Sequence, residues 1–182
     1  MKKIILSVAV IALTLGASAQ KGGSSESGKP NLVKINPLGA LFGNIPLSYE
    51  RAINDKSSIQ VNGSFGGLSV AGVKYTNFGA GVDYRYYLSN SKSAPEGFYV
   101  SGGAGFYSLK VKETGGTSFT GSGFVGKGVI GNQWIWESGF ALDLFGGINY
   151  YAGGKIKGTG GVEYTKFSGT LPALGVALAY NF

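Results

Sequence analysis

The sequence predicts an all-β chain, an eight-stranded antiparallel up-and-down transmembrane β-barrel with a filled lumen. Three observations predict it. Bulky apolar residues alternate with small or polar ones through most of the chain. The composition holds 33 glycines and only 14% charged residues, against averages near 7% and roughly 25% in soluble proteins. The polar parity of the alternating segments carries very few ions. The chain also has no cysteine and no histidine, which removes disulfides, thiolate nucleophiles, imidazole bases and the commonest zinc ligands. No cofactor and no metal site is expected. At 182 residues a single domain of moderate size is the natural expectation.

The first element is not part of the fold. Lys2 and Lys3 precede an apolar run from Ile4 to Leu15, interrupted by Ser7 and Thr14, and Ala17-Ser18-Ala19 supplies small residues for cleavage. This is the pattern of a signal peptide over 1–19, exported by a Sec-type route and cut after Ala19. A membrane anchor helix needs about 20 apolar residues, more than this run offers. Residues 20–30 contain glycine, serine, lysine, one glutamate and proline without an apolar side chain to tie them down, and are expected to form a flexible periplasmic leader. No later segment approaches the length of a membrane helix, and no cysteine follows the apolar run to carry a lipid.

Residues 31–182 hold the predicted barrel, with strands expected near 31–41, 45–53, 57–67, 74–88, 98–112, 117–130, 138–151 and 165–182. The period of two is clearest at the end, where Leu174, Val176, Leu178, Tyr180 and Phe182 share one face and Ala173, Gly175, Ala177, Ala179 and Asn181 the other. Phe78, Ala80, Val82, Tyr84 and Tyr86 oppose Asn77, Gly79, Gly81, Asp83 and Arg85 in the same way. Phe140, Leu142, Leu144 and Ile148 oppose Gly139, Ala141, Asp143, Gly147 and Asn149, and Ile59, Val61 and Phe65 oppose Ser58, Gln60, Asn62 and Ser64. Eight strands over this length give roughly 19 residues each with a connection, which suits tilted membrane strands of about 9 to 11 residues. Tyr107, Leu109 and Val111 switch parity relative to Val100 and Phe106, which suggests a bulge near Phe106.

Charge decides which face points out. A water-facing barrel would cover its exterior with lysine and glutamate, whereas here the polar face is mostly glycine, alanine, serine and asparagine. Such a face fits a crowded interior, and the bulky face must meet hydrocarbon. Eight strands enclose side chains rather than an open channel.

The terminal aromatic Phe182, preceded by apolar residues at every second position back to Leu174, resembles the terminal strand signal of Gram-negative outer-membrane proteins. With the signal peptide, the chain resembles the small eight-stranded OmpA/OmpX-like barrels. Leu32-Val33-Lys34-Ile35-Asn36-Pro37-Leu38 and Gly43 to Arg51 also resemble the opening hairpin of a domain-of-unknown-function family of such barrels. The resemblance implies an outer-membrane location and assembly of Leu174, Val176, Leu178, Tyr180 and Phe182 by the barrel-assembly machinery. It implies no known activity, and no counterpart of the peptidoglycan-binding domain of OmpA is expected.

With periplasmic termini, turns near 54–56, 90–97 and Gly131-Asn132 are expected on the periplasmic side, and loops near 42–44, 68–74, 112–117 and 152–164 outside. Aromatic girdles would place Tyr84, Tyr86, Trp134, Trp136, Tyr180 and Phe182 at the inner rim and Phe106, Tyr150 and Tyr151 at the outer. The interior-parity ions are Glu50, Asp83, Arg85 and Asp143, joined by Lys127 if its strand keeps Phe124 and Ile130 outside. Buried charges must be paired, so Arg85 and Lys127 are expected to bridge the three carboxylates in a structural network. Paired carboxylates can also serve as acid and base on a glycoside, but a filled lumen gives a polysaccharide no path.

Gly121 to Gly128 matches a dinucleotide glycine pattern and nearly a phosphate loop. Gly128 stands where magnesium-binding serine or threonine belongs, and no strand-then-helix setting follows, so the match is read as chance in a glycine-rich chain. Lys74, Lys110, Lys112, Lys155, Lys157 and Lys166 outnumber Glu113 and Glu163 at the outer rim, and are candidate contacts to lipopolysaccharide phosphates. Nucleic acid is not an expected partner of this sparse charge. The function class expected is non-enzymatic, envelope-structural or surface-interacting. A conduit or carrier through the lumen is the alternative. A lipid-modifying enzyme is less favoured, since barrel hydrolases of the phospholipase, deacylase and omptin kinds rely on histidine.

Overall fold

The computed structural model describes residues 29–41, 43–113, 116, 118–158 and 163–182. The signal peptide expected at 1–19 and nearly all of the leader expected at 20–30 lie outside the described residues. The chain forms a closed barrel in strict sequence order, β1-β2-β3-β4-β5-β6-β7-β8, every neighbouring pair antiparallel. The strands are β1 (Asn31–Ile35), β2 (Asn44–Asn54), β3 (Ser57–Val70), β4 (Val73–Tyr87), β5 (Gly97–Glu113), β6 (Ser118–Ile135), β7 (Phe140–Gly158) and β8 (Glu163–Asn181). Pairing of Leu32 with Asn181 and Ile35 with Leu178 closes the cylinder. The two ends of the sheet also clasp each other, Asn31 N donating to Phe182 O at 3.3 Å and Phe182 N to Asn31 O at 3.0 Å. No helix among the described residues is long and apolar enough to cross a membrane.

The first expected strand, 31–41, is too long. β1 stops at Ile35 and Pro37–Leu41 forms a short helix, α1. Asn36 caps it, its Oδ1 accepting from Leu38 N at 3.0 Å, and Pro37 occupies the first helical position, where a missing N–H is harmless. Several other strands outrun their expected ends. Residues 68–70 and 73–74, expected in a loop, belong to β3 and β4, because Ala71 (φ 48°) and Gly72 (φ 80°) make a two-residue turn with both central residues left-handed. That turn twists with the strands and lets the ladder run to its end. Residues 152–158, also expected in a loop, continue β7.

Gly131 and Asn132 are not a turn. They lie inside β6, opposite Tyr99 and Phe98 on one side and Phe145 and Leu144 on the other. The reversal falls at Trp136 to Gly139, where Gly139 (φ 85°) donates to Trp136 O at 2.8 Å. Glycine at 131 serves packing instead, since a Cβ there would stand 2.7 Å from Leu144 O and against the Tyr99 ring.

The suspected bulge near Phe106 is absent, for the β4–β5 and β5–β6 registers run unbroken through it. Tyr107 faces the lumen and packs edge-on against Tyr151, ring centroids 5.1 Å apart. An aromatic inside the barrel, not a change of register, explains the switch at Tyr107, whereas Leu109 on the same parity stands exposed. Register shifts occur instead at Ala52/Asn54, Ser122/Phe124 and between Tyr151 and Ile156.

The burial pattern is inverted relative to a water-soluble domain. Leu174 is 80% exposed and Phe124 69%, whereas Glu50 and Asp143 are fully buried. Tyr84, Tyr86, Trp134, Trp136, Tyr180 and Phe182 all stand exposed toward the end that carries the described chain ends, and Phe106 and Tyr150 stand exposed on the other half. Tyr151 departs from the expected outer girdle by turning into the lumen to meet Tyr107.

Candidate functional site

Alternation aims one residue in two at the barrel axis, so ions placed on the inward parity of different strands converge there. Glu50 comes from β2, Arg85 from β4 and Asp143 from β7, and these three meet. Arg85 Nη1 lies 2.8 Å from Asp143 Oδ2 and 3.5 Å from Glu50 Oε2. A second cation completes the cluster. Lys34 of β1 sets its Nζ 2.5 Å from Glu50 Oε2 and 2.9 Å from Asp143 Oδ2. Two cations and two carboxylates thus cancel in a layer where every member is at most 3% exposed.

Neutral side chains satisfy the remaining lone pairs. Tyr99 Oη donates to Asp143 Oδ1 at 2.8 Å and Tyr87 Oη to Glu50 Oε1 at 2.5 Å, while Ser58 Oγ also donates to Glu50. Gln133 accepts from Lys34 through Oε1 and donates through Nε2 to Pro95 O, tying the cluster to the buried end of the β4–β5 connection. The Arg85 guanidinium sits 4.3 Å above the Tyr99 ring centroid, where the ring face favours a cation. The assembly draws on every strand from β1 to β7. Burying four charges is tolerable only with pairing of this kind, which leaves Arg85 Nε as the one charged-group atom of the cluster without a partner.

Asp83 and Lys127 stand apart from this layer. Lys127 Nζ is 2.5 Å from Asp83 Oδ2, and Asn62 Nδ2 donates to the same oxygen at 2.9 Å. Gly103 leaves room for the pair, because a Cβ there would fall against the Asp83 carboxylate and 2.7 Å from Val82 O. Of the five ions read from parity, Glu50, Arg85 and Asp143 therefore meet in one cluster and Asp83 and Lys127 form a second; Lys127 bridges nothing further. Sequence reasoning missed Lys34, Gln133, Tyr87 and Tyr99. Lys34 was visible by the same rule, since Val33 and Ile35 flank it on the outward face.

The lumen is filled across the layer of the ion cluster. Toward the α1 end it holds a cavity of about 350 Å³ whose lining includes Lys34, Arg85 and Asp143. One side is hydroxyl and amide, with Ser48, Gln60, Asn62 and Ser64; the other is aromatic and aliphatic, with Tyr107, Val125, Phe145 and Tyr151.

The remaining candidates have simpler places. Gly121 to Gly128 lies wholly within β6, its backbone laddered to β5 and β7 rather than looped around an anion. Lys74, Lys110 and Lys112 are exposed, with Lys74 directly opposite Lys112 and Lys110 opposite Thr76. Lys155, Lys157 and Lys166 lie outside the residues whose side chains are described. No group of metal-ligating side chains occurs among the described residues. Leu174, Leu178, Tyr180 and Phe182 stand exposed on one face of β8, and Val176, half-buried, shares their parity.

Fold and lumen together define the class: a closed eight-stranded, all-antiparallel up-and-down barrel, ionic within and apolar without. Among solved structures the chain is similar to CarO of Acinetobacter baumannii, with a TM-score of 0.51 and 11% identity over 84% of this chain and 97% of that one. At that identity the likeness speaks for the fold alone. No protein-family model and no curated protein matches the sequence.

Proposed function

We propose that this protein is a non-enzymatic integral outer-membrane barrel, closed by its own ion cluster, that serves envelope structure or presents its outer rim to a partner. One observation carries this reading: large apolar side chains such as Val82, Phe124, Leu144 and Leu174 stand exposed around a barrel whose interior buries Lys34, Glu50, Arg85 and Asp143. An apolar exterior continuous around the sheet is unstable in water and favourable in lipid, where only a closed barrel or a helix satisfies the backbone. The signal-peptide pattern and the resemblance to OmpA/OmpX-like barrels support export to that membrane and assembly through the strand ending at Phe182. Against the alternative of a conduit stands the paired layer across the lumen.

Fractionation tests the location. The processed chain should pellet with outer membranes and show heat-modifiable migration on a gel; a chain monodisperse in buffer without detergent would refute it. In planar bilayers the purified barrel should be electrically silent, and steady unitary conductance would favour the conduit instead.

The rim lysines extend the proposal. Lys74 and Lys112 are like charges directly opposite on adjacent strands, an arrangement that costs stability unless an anion lies between them. On the parity of Phe78 and Phe106 they stand where the lipid face would end, and lipopolysaccharide phosphates fit that place at about 1 kcal/mol per lysine. The double substitution Lys74→Glu and Lys112→Glu should lower the lipopolysaccharide that co-purifies with the barrel; equal retention removes the contact.

A further inference from the structure

The cavity between the ion cluster and the α1 end has a chemistry of its own. Its three cations are each spoken for: Lys34 and Arg85 by Glu50 and Asp143, and Lys127 by Asp83. No lining charge is left uncompensated among the described residues, so neither a free anion nor a free cation gains a partner by entering. What the lining offers is hydrogen bonding on one side, from Ser48, Gln60, Asn62 and Ser64, and aromatic surface on the other, from Tyr107 and Tyr151.

Three buried polar atoms in that lining have no partner in the protein, Asn44 Oδ1, Gln60 Oε1 and Arg85 Nε. Two are acceptors and the third is a donor. Buried groups of this kind are normally satisfied, and each exception calls for a cause. A hydroxyl both donates and accepts, so it serves either kind of atom, whereas a carboxylate or phosphate serves only the donor and an ammonium only the acceptors. A sugar ring adds C–H faces that pack against tyrosine rings while its hydroxyls meet amides. The cavity, about 350 Å³, lies at the small end of ligand pockets.

Resting on the reading of the chain as a membrane barrel, we propose that this lumen cup is a binding site for a neutral, polyhydroxylated small molecule of mono- or disaccharide size. The ligand is held between the Gln60–Asn62 side and the Tyr107–Tyr151 pair, above a floor that bars its passage. The site is a dead-end receptacle on the α1 side of the barrel, distinct from a pore.

The test is a nuclear magnetic resonance titration of the folded barrel in detergent micelles with glucose, maltose, glucuronate, glucosamine and inorganic phosphate as probes. Glucose or maltose should shift the amides of Gln60, Asn62, Tyr107 and Tyr151, and glucuronate, glucosamine and phosphate should bind no tighter. Tyr151→Leu and Asn149→Ala, which alter the lining without touching the ion cluster, should each weaken the sugar by roughly two- to tenfold, the scale of one neutral contact. Absence of any neutral-sugar response, tighter binding of a charged probe, or indifference to both substitutions overturns the site. Failure of the membrane reading shows separately, as a chain that is monodisperse without detergent.

Discussion

At the scale of single residues, the ion cluster sets the sharpest expectations. Lys34→Met leaves Glu50 and Asp143 sharing Arg85 alone, and removing one member of a fully buried charge set typically costs about 3–5 kcal/mol because its partners stay behind unpaired. Chemical unfolding of the barrel in micelles or vesicles should register that loss. A variant as stable as the parent would mean the cluster is wetter than its burial indicates. Tyr99→Phe should cost less, about 1–3 kcal/mol, since it removes only the hydrogen bond to Asp143 and leaves the ring beneath Arg85. Much of the interior charge was legible from parity: an ion on the small-residue face of a strand must point into the barrel, and Glu50, Asp83, Arg85 and Asp143 all sit on such faces. Lys34 obeyed the same rule but lay in a strand assumed to run to residue 41. Tyr87 and Tyr99 were hidden by the habit of assigning aromatics to the outside of membrane barrels. Their inward parity was readable, but their partners came from strands distant in sequence.

At the scale of elements, strand existence was legible and strand ends were not. Period-two alternation survives wherever neighbouring ladders run, but a turn is fixed by backbone dihedrals that glycine content advertises ambiguously in a chain with 33 of them. Gly72 marks a turn, whereas Gly131 and Gly103 make space for side chains opposite, and nothing in their immediate sequence separates the two uses. Pro37 was the better signal, since with Asn36 before it the pair starts a helix rather than extending a strand. The β3–β4 turn carries its own prediction. Ala71 adopts φ 48°, a left-handed conformation that penalises a Cβ. Ala71→Gly or Ala71→Asn should therefore raise stability by about 1 kcal/mol. Unchanged or lower thermal stability in both variants would show that this hairpin tip does not hold the two-residue turn in solution.

At the scale of the whole molecule, the barrel's polarity is set by the medium around it, and substitutions on the two faces should reveal that medium. Val82 is half exposed on the outward side of β4, at register with Val61 and Ala104 and near the middle of its strand; Val125 on β6 faces the cavity. In water an arginine at an exposed position such as 82 would be nearly neutral, since a solvated surface tolerates charge. In a bilayer the same change near the midplane costs about 2–4 kcal/mol. Val125→Gln, by contrast, adds a polar group to a lumen already lined by amides and should be tolerated when lipid surrounds the barrel. The pair separates the alternatives without fractionating a cell. Refolding into lipid vesicles should be impaired by Val82→Arg and little changed by Val125→Gln. The reverse order, with position 82 indifferent and position 125 sensitive, would place the apolar core at the barrel axis and water outside. The same comparison at Leu144, on the far side of the cylinder, checks that the apolar exterior is a continuous belt rather than a local docking patch, because a patch would make only one of the two positions sensitive to charge.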